Sequence, residues 1–204
     1  MEKRGFLFIL AGPLGAGKNT LIQGVIEQVG NLTQMPTATT RPPRPGESEN
    51  VEHLFISGQE FDQLIQQNAF VEWEMIHGNR YGNLKSTVEQ AVNSSKDYIA
   101  DIDVTGAFSL KKIYLDNVII IFVLTPSMEI LEHRIRQRGN ISDDEVRSRL
   151  NRAQFEISFM SKCDYVVIND KLEATVEQLR AIILAERCRR DATILWSVMK
   201  EGGA

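Results

Sequence analysis

Cysteine is almost missing from this chain, and its scarcity closes off several function classes. The two cysteines in 204 residues, Cys163 and Cys188, form no C-x-x-C pair. Neither a disulfide framework nor a cysteine-rich zinc module is therefore encoded, and both read as reduced thiols of a cytoplasmic protein. The three histidines, His53, His77 and His133, have no zinc-ligand spacing to a cysteine. Long apolar runs are missing too. The N-terminal stretch GFLFILAG is far too short to span a membrane and runs straight into a glycine-rich loop, so it reads as a buried strand. Positive charge is not in excess. A formal net charge of −4 argues against non-specific binding to nucleic acid polymers, while leaving room for a local basic cluster around a small phosphorylated ligand. Internal repeats and low-complexity tracts are absent.

What is present suits one sizeable domain: 43% hydrophobic and 25% charged residues. Apolar runs at 6–10, 98–102, 118–124 and 165–168 lack strict alternation, as expected of parallel strands covered on both faces. Helices are expected between them: 18–28, 127–137 with Ser127 as N-cap, 143–160 opening on the capping box SDDE, and an amphipathic 173–190. This alternation predicts an α/β fold, a parallel sheet flanked by helices through right-handed crossovers. Residues 33–90 break the rhythm. Pro42, Pro43 and Pro45 exclude regular helix around them, and a short helix is expected near 59–67. The region reads as an inserted small subdomain with its own short strands.

GPLGAGKNT, from Gly12 to Thr20, nearly matches G-x-x-x-x-G-K-[ST] and lies where that motif must, between a predicted strand and a predicted helix. Gly12, Gly15 and Gly17 permit tight left-handed turns, with Pro13, Leu14 and Ala16 between them. Successive amides can then form a nest for phosphate oxygens, backed by the helix start, and Lys18 can meet the β- and γ-phosphates. The plain alternative is a glycine-rich turn that binds nothing. The motif ends on a hydroxyl that helps hold magnesium, but Asn19 stands there, followed by Thr20. Magnesium would then be held more through water, ATP oxygens and one or two carboxylates.

A triphosphate loop does not name the acceptor. TTRPPRPGE sets Arg41 and Arg44 in a proline-braced segment, and guanidinium forks bind phosphate in a bidentate way. A solvated basic turn is the alternative. FVEWE supplies Glu72 and GNRYGN supplies Tyr81. A carboxylate can accept from both donors on guanine's Watson–Crick edge, whereas the acceptor at adenine N1 repels it. Glu72 could equally be a strand glutamate facing water. Trp73, between two acids, reads as packing.

At these residues the chain resembles guanylate kinase, the bacterial type in particular, over residues 5 to about 190. TTRPPRPGE, FVEWEMIHGNRYG, DIDVTGA, RQRG with RSRLNRA, and DYVVIND follow the family's order and spacing. The resemblance implies a P-loop NTPase-type core at 5–32, 97–125 and 160–190, a small α+β GMP-binding insert at about 33–96 and a helical lid at about 126–159. It implies transfer of a phosphoryl group from ATP to GMP with Mg2+, by a monomer or homodimer with small nucleotides as its partners. Arg41, Arg44 and Tyr81 resemble contacts to the GMP phosphate, and Glu72 the guanine reader. Asp101, through water, resembles a metal-side carboxylate, and Asp103 a polar group at the nucleotides. Arg134, Arg138 and Arg149 resemble lid arginines, and Asn169 a contact to the adenine of ATP. On helical geometry Arg134 and Arg138 share a face while Arg136 points elsewhere.

Several positions depart from the family's usual residues. Leu14 stands for a serine, Thr37 for a serine that helps read guanine, His53 for a tyrosine at the GMP phosphate, Asn83 for a serine or threonine near the base, and Thr105 for a glutamine. Thr37, His53 and Asn83 keep hydrogen-bonding capacity. Two other functions stay open: a kinase of this fold with another phosphorylated acceptor, and a non-catalytic guanylate-kinase-like module. Glu72 counts against the first, and the intact loop glycines and Lys18 against the second.

Overall fold

Residues 7 to 11 are wholly buried because they lie between two apolar layers: Leu7, Ile9 and Ala11 face one, Phe8 and Leu10 the other. This arrangement comes from a computed structural model, which describes residues 5–44, 53–76, 78–137 and 141–201. In chain order its first half contains β1 (Leu7–Ala11), α1 (Lys18–Gln28), β2 (Leu32–Gln34), β3 (Thr37–Thr39), β4 (His53–Phe55), α2 (Gly58–Gln66), β5 (Phe70–Ile76), β6 (Asn79–Leu84) and α3 (Lys85–Asn93). Then follow β7 (Asp97–Asp101), α4 (Val104–Tyr114), β8 (Val118–Leu124), α5 (Met128–Arg136), α6 (Asp143–Ile157), β9 (Tyr165–Ile168) and α7 (Leu172–Glu201).

The main sheet is parallel, in the order β2-β7-β1-β8-β9. Leu7 pairs with Tyr98 on one side and Val118 on the other. On one face, Leu21, Ile22 and Val25 of α1 and Val176, Leu179 and Ile183 of α7 cover Phe8, Leu10, Ile121 and Val123. On the other, Val88, Ala91 and Val92 of α3 and Val104, Ala107 and Leu110 of α4 cover Leu7, Ile9, Ile120 and Phe122. Double coverage is why these strands read as continuous apolar runs. The carboxyl ends of β1, β7 and β8 open onto the glycine loop, Asp101 to Asp103, and Thr125, the edge where α/β sheets hold ligands.

A second, four-stranded sheet has the order β4-β3-β6-β5. β3 and β4 run parallel, while β6 is antiparallel to both β3 and β5. Its small core is Ala38, Phe61 and Phe70, under α2, which starts on a Ser57–Glu60 capping box. Trp73 is half-exposed and meets Phe61 edge-on, as packing. The main sheet claims more of the expected insert than its sequence suggests: β2 pairs with β7, and α3 lies on the main sheet's face. The separate sheet thus occupies residues 37–84.

α5 and α6 share a cluster of Leu131, Ile135, Val146 and Ala153, and α6 opens on a Ser142–Glu145 capping box. The stretch expected as one helix to residue 160 ends at Ile157, with a separate 3₁₀ turn at Met160–Lys162. α7 begins at Leu172 and continues past residue 190 to Glu201.

Candidate active site

The loop between β1 and α1 is shaped by space as much as by backbone freedom. Gly12, Gly15 and Gly17 have φ of 128°, 99° and 92°, the region that side-chain-bearing residues rarely adopt. A Cβ on Gly12 would collide with the Val123 carbonyl oxygen of β8, and one on Gly17 with Asn169 Nδ2. α5 roofs the loop: a Cβ on Gly15 would lie 3.2 Å from both Leu131 and Ile135. Lys18 folds back across the cradle, donating from Nζ to the Gly12 oxygen at 2.5 Å and the Pro13 oxygen at 3.3 Å. Asp101 Oδ1 lies 3.5 Å from the same ammonium. Pro13 and Ala16 are buried, Leu14 is half-buried, and Asn19 and Thr20 are exposed on the first turn of α1.

Asn169 occupies a place that its expected contact with adenine did not suggest. It is buried, and its Nδ2 donates to the Ala16 oxygen at 2.8 Å, from the far end of the sheet into the loop. Its backbone oxygen accepts from Arg134 at 3.1 Å. One residue thus braces the loop and holds an arginine of α5 beside it. Arg136 turns outward to Glu132 and Asp143, as its helical position requires. Arg149 is half-buried on α6. Arg138 and His77 lie outside the described residues.

The insert contributes a file of side-chain hydrogen bonds. Thr37 Oγ1 donates to Asn83 Oδ1 at 3.4 Å, and Asn83 Nδ2 donates to Glu72 Oε1 at 2.5 Å. Antiparallel register places Glu72 opposite Asn83, and Asn83 is buried. Glu72 in turn meets Asp103, whose Oδ1 caps α4 by accepting from the Thr105 and Gly106 amides at 2.6 and 3.1 Å. The Glu72 carboxyl is pushed up to about 8, first by burial and then by its hydrogen bond with Asp103 and that residue's charge. Gly106 makes this approach possible, since a Cβ there would collide with Glu72 Cγ. Its role was not legible in the sequence, where only a glycine shortly after DID marks it.

Arg41 is buried, donates to the Pro42 oxygen at 2.9 Å and holds its guanidinium 5.5 Å from the Phe55 ring centre. Arg44, three residues on, is exposed. His53 Nδ1 lies 3.2 Å from the Thr37 oxygen, and its ring meets Tyr81 edge-on at 6.1 Å. Thr37, His53, Glu72, Tyr81 and Asn83 therefore gather on neighbouring strands of the small sheet, with Arg41 at the end of β3. The two halves meet through Asp101-Ile102-Asp103: the first aspartate pairs with Lys18, the third residue meets Glu72.

Known proteins resemble this chain over nearly its whole length. The guanylate kinase family model matches residues 4–186. A guanylate kinase from Caldanaerobacter subterraneus subsp. tengcongensis is 40% identical over 191 residues, 94% of this chain and 92% of that protein. One from Thermotoga maritima is 40% identical over 186 residues, 91% of this chain and 89% of its own length. The crystal structure of guanylate kinase from Anaplasma phagocytophilum superposes with a TM-score of 0.71 at 29% identity, covering 91% of this chain and 87% of that one. Matched by the family model over most of its length and 40% identical to such relatives over nine-tenths of it, this chain belongs to the guanylate kinase family.

Proposed function

We propose that the glycine loop and the insert divide between them the reaction ATP + GMP → ADP + GDP, the loop holding the donor and the insert the acceptor. The carrying observation is the hydrogen-bonded file Thr37–Asn83–Glu72, whose last carboxyl meets Asp103, two residues beyond the Asp101 that pairs with Lys18. Glu72 supplies two acceptor oxygens for the two guanine donors, and no purine with an acceptor at N1 fits it equally well. Arg41, Arg44, His53 and Tyr81 hold the GMP phosphate. Arg41 reaches that task already ordered, because Pro42 and Phe55 fix its guanidinium.

Gly12 to Thr20 cradle the ATP phosphates through backbone amides, and Lys18 leaves the Gly12 and Pro13 carbonyls to meet the β- and γ-phosphates. Asn169 serves the donor by bracing Ala16. The acceptor phosphate oxygen is already ionised near neutral pH, so in-line attack needs positioning and charge neutralisation more than a base. Arg134 of α5 and Arg149 of α6, with Arg138, neutralise the transferring group and close water out.

Among the described residues no group of three or more His, Cys, Asp and Glu forms a metal cage. The half-exposed Asp101 carboxylate beside Lys18, with exposed Asn19 on the first turn of α1, instead fits a magnesium ion held through water and ATP oxygens. Magnesium so held supplies charge neutralisation on the β- and γ-phosphates. The two free cysteines support a cytoplasmic setting. No helix among the described residues is long and apolar enough to cross a membrane.

The test is ADP release measured against a panel of nucleoside monophosphates at saturating ATP. GMP should far outrank AMP, and equal rates with the two would remove Glu72 as the base reader.

A further inference from the structure

Between the insert and the helices that carry the proposed lid arginines lies an ion-pair network that the reaction as set out above does not use. Arg152 of α6 pairs through NH2 with Glu74 of β5, 78 positions away in sequence, and through Nε with Glu156 of its own helix at 3.0 Å. An exposed salt bridge of this kind is ordinarily worth little. Here the setting differs. Glu156 is buried, with its side chain 8% exposed, so its charge depends on a partner, and Arg152 supplies it. Glu74 is pushed above the usual carboxylate range chiefly by burial, and Arg152 pulls it back.

The periodicities on both sides give the network its meaning. Side chains two apart on a strand share a face, so Glu74 lies on the face of β5 that carries Glu72. Residues three and four apart on a helix are neighbours, so Arg149, Arg152 and Glu156 line one side of α6. Arg152 therefore ties the side of α6 that presents Arg149 to the strand that presents the guanine reader. The Arg152 side chain is 55% exposed and that of Glu74 25%, so the contact can form and break without unpacking a core.

We propose that Arg152 is a positioning residue for phosphoryl transfer: through Glu74 and Glu156 it sets α6, and with it Arg149, against the acceptor-binding strand. The inference rests on the reading of Glu72 and Arg149 as acceptor and lid residues. Arg152 touches neither nucleotide. Its effect should appear as coupling between the insert and the transfer step, and not in ATP binding.

The test is a double-mutant cycle of Glu74→Gln and Arg152→Gln, with Arg152→Lys as the conservative variant. Steady-state kcat and KM for both nucleotides are read beside the melting temperature. Each single change should lower kcat/KM for GMP about fivefold, the discounted worth of one partly exposed charged contact (about 1 kcal/mol of barrier). KM for ATP should not move, Arg152→Lys should recover part of the loss, and the double variant should lose no more than the worse single one. Strictly additive losses, raised activity, or a lowered melting temperature with unchanged kinetics would each overturn the proposal. An unmodified chain that phosphorylates no GMP would overturn the functional reading itself and this inference with it, whereas normal GMP turnover with insensitive variants overturns the inference alone.

Discussion

If Glu72 reads guanine as proposed, its protonation state should make GMP recognition pH-dependent in a window where few side chains titrate. Guanine offers two donors side by side, so both carboxylate oxygens must accept, and the protonated acid presents a hydrogen to one of them. In the GMP-free protein the group is pushed up to about 8 by burial and by Asp103, while the Asn83 hydrogen bond pulls the other way. About a tenth is then ionised at pH 7 and about three-quarters at pH 8.5. If only the ionised form binds, the apparent affinity scales with that fraction, and KM for GMP should fall about eightfold between those two values. The GMP phosphate itself titrates near pH 6, below this window. Binding at pH 7 should release about one proton, visible by calorimetry as a heat that varies with the ionisation enthalpy of the buffer.

Glu72→Gln removes the titration. It also places an amide donor against a guanine donor, so KM for GMP should be high and flat from pH 7 to 8.5 while KM for ATP stays as it was. The folded protein takes up protons that the unfolded chain releases between the ordinary carboxylate value of 4.5 and about 8, so Glu72 subtracts stability as pH rises through that range. GMP should restore it, and the melting-temperature gain on adding saturating GMP should grow from pH 6.5 to 8.5. A KM for GMP that is constant over this range in the unmodified protein refutes the argument that Glu72 must lose a proton to bind GMP.

The donor half supports separate expectations. Asn169→Ala leaves the buried Ala16 oxygen without its partner, at a cost of about 1–3 kcal/mol, and should raise KM for ATP and lower the melting temperature without changing GMP selectivity. Arg41→Ala should raise KM for GMP and leave ATP almost untouched, whereas Lys18→Ala should cut kcat about a hundredfold or more with both nucleotides saturating. Asn19→Ser should shift the magnesium dependence of the rate by no more than about tenfold, about 1.4 kcal/mol, as a titration of both proteins will show. A protein inert at every magnesium concentration would mean that the loop has lost its function.

What was legible in the sequence was local. The glycine loop, the four main-sheet runs and the capping box of α6 each announce themselves within about ten residues, because period and turn chemistry are local signals. Strand β1 comes one residue later than its apolar run suggested, a difference of hydrogen-bonding ends and not of burial. α3 and α4 were missed although Val88, Ala91 and Val92, and Val104, Ala107 and Leu110, have helical spacing. In the second case DIDVTGA drew attention to Asp103 as a nucleotide ligand, whereas in the structure its carboxylate caps α4. Both uses are compatible, since a cap engages Oδ1 and leaves Oδ2 for Glu72 or ligand. The parallel pairing of β3 with β4, the union of β2 with the main sheet, and the contacts of Asn169 and Arg152 are pairings between distant segments, and no local pattern encodes them.

On the proposed division of the site, its two halves should tolerate change differently, and the reason is chemical. The proposed donor cradle is backbone, which any sequence supplies, so its constraint is one of space and φ: a side chain at Gly12 or Gly17 meets a carbonyl or Asn169 whatever its chemistry. Leu14 is half-buried and Asn19 exposed, so a departure from the family's serine at the first and from the motif's hydroxyl at the second meets no such barrier. The acceptor half is side chain passing to side chain, so a change at one link is absorbed by the next. Asn83, where the resembling family carries a serine or threonine, is long enough to accept from Thr37 and donate to Glu72 at once. It thereby leaves Thr37 satisfied and orients the Glu72 carboxyl, the group proposed to meet guanine. His53, in place of a tyrosine, likewise anchors to the Thr37 carbonyl and packs on Tyr81. Thr37, His53 and Asn83, the positions that depart from the family's usual residues, are thus joined in one network, since both His53 and Asn83 contact Thr37 and Asn83 also contacts Glu72. Their effects on GMP binding should therefore be strongly non-additive when they are reverted singly, as expected of residues that share partners.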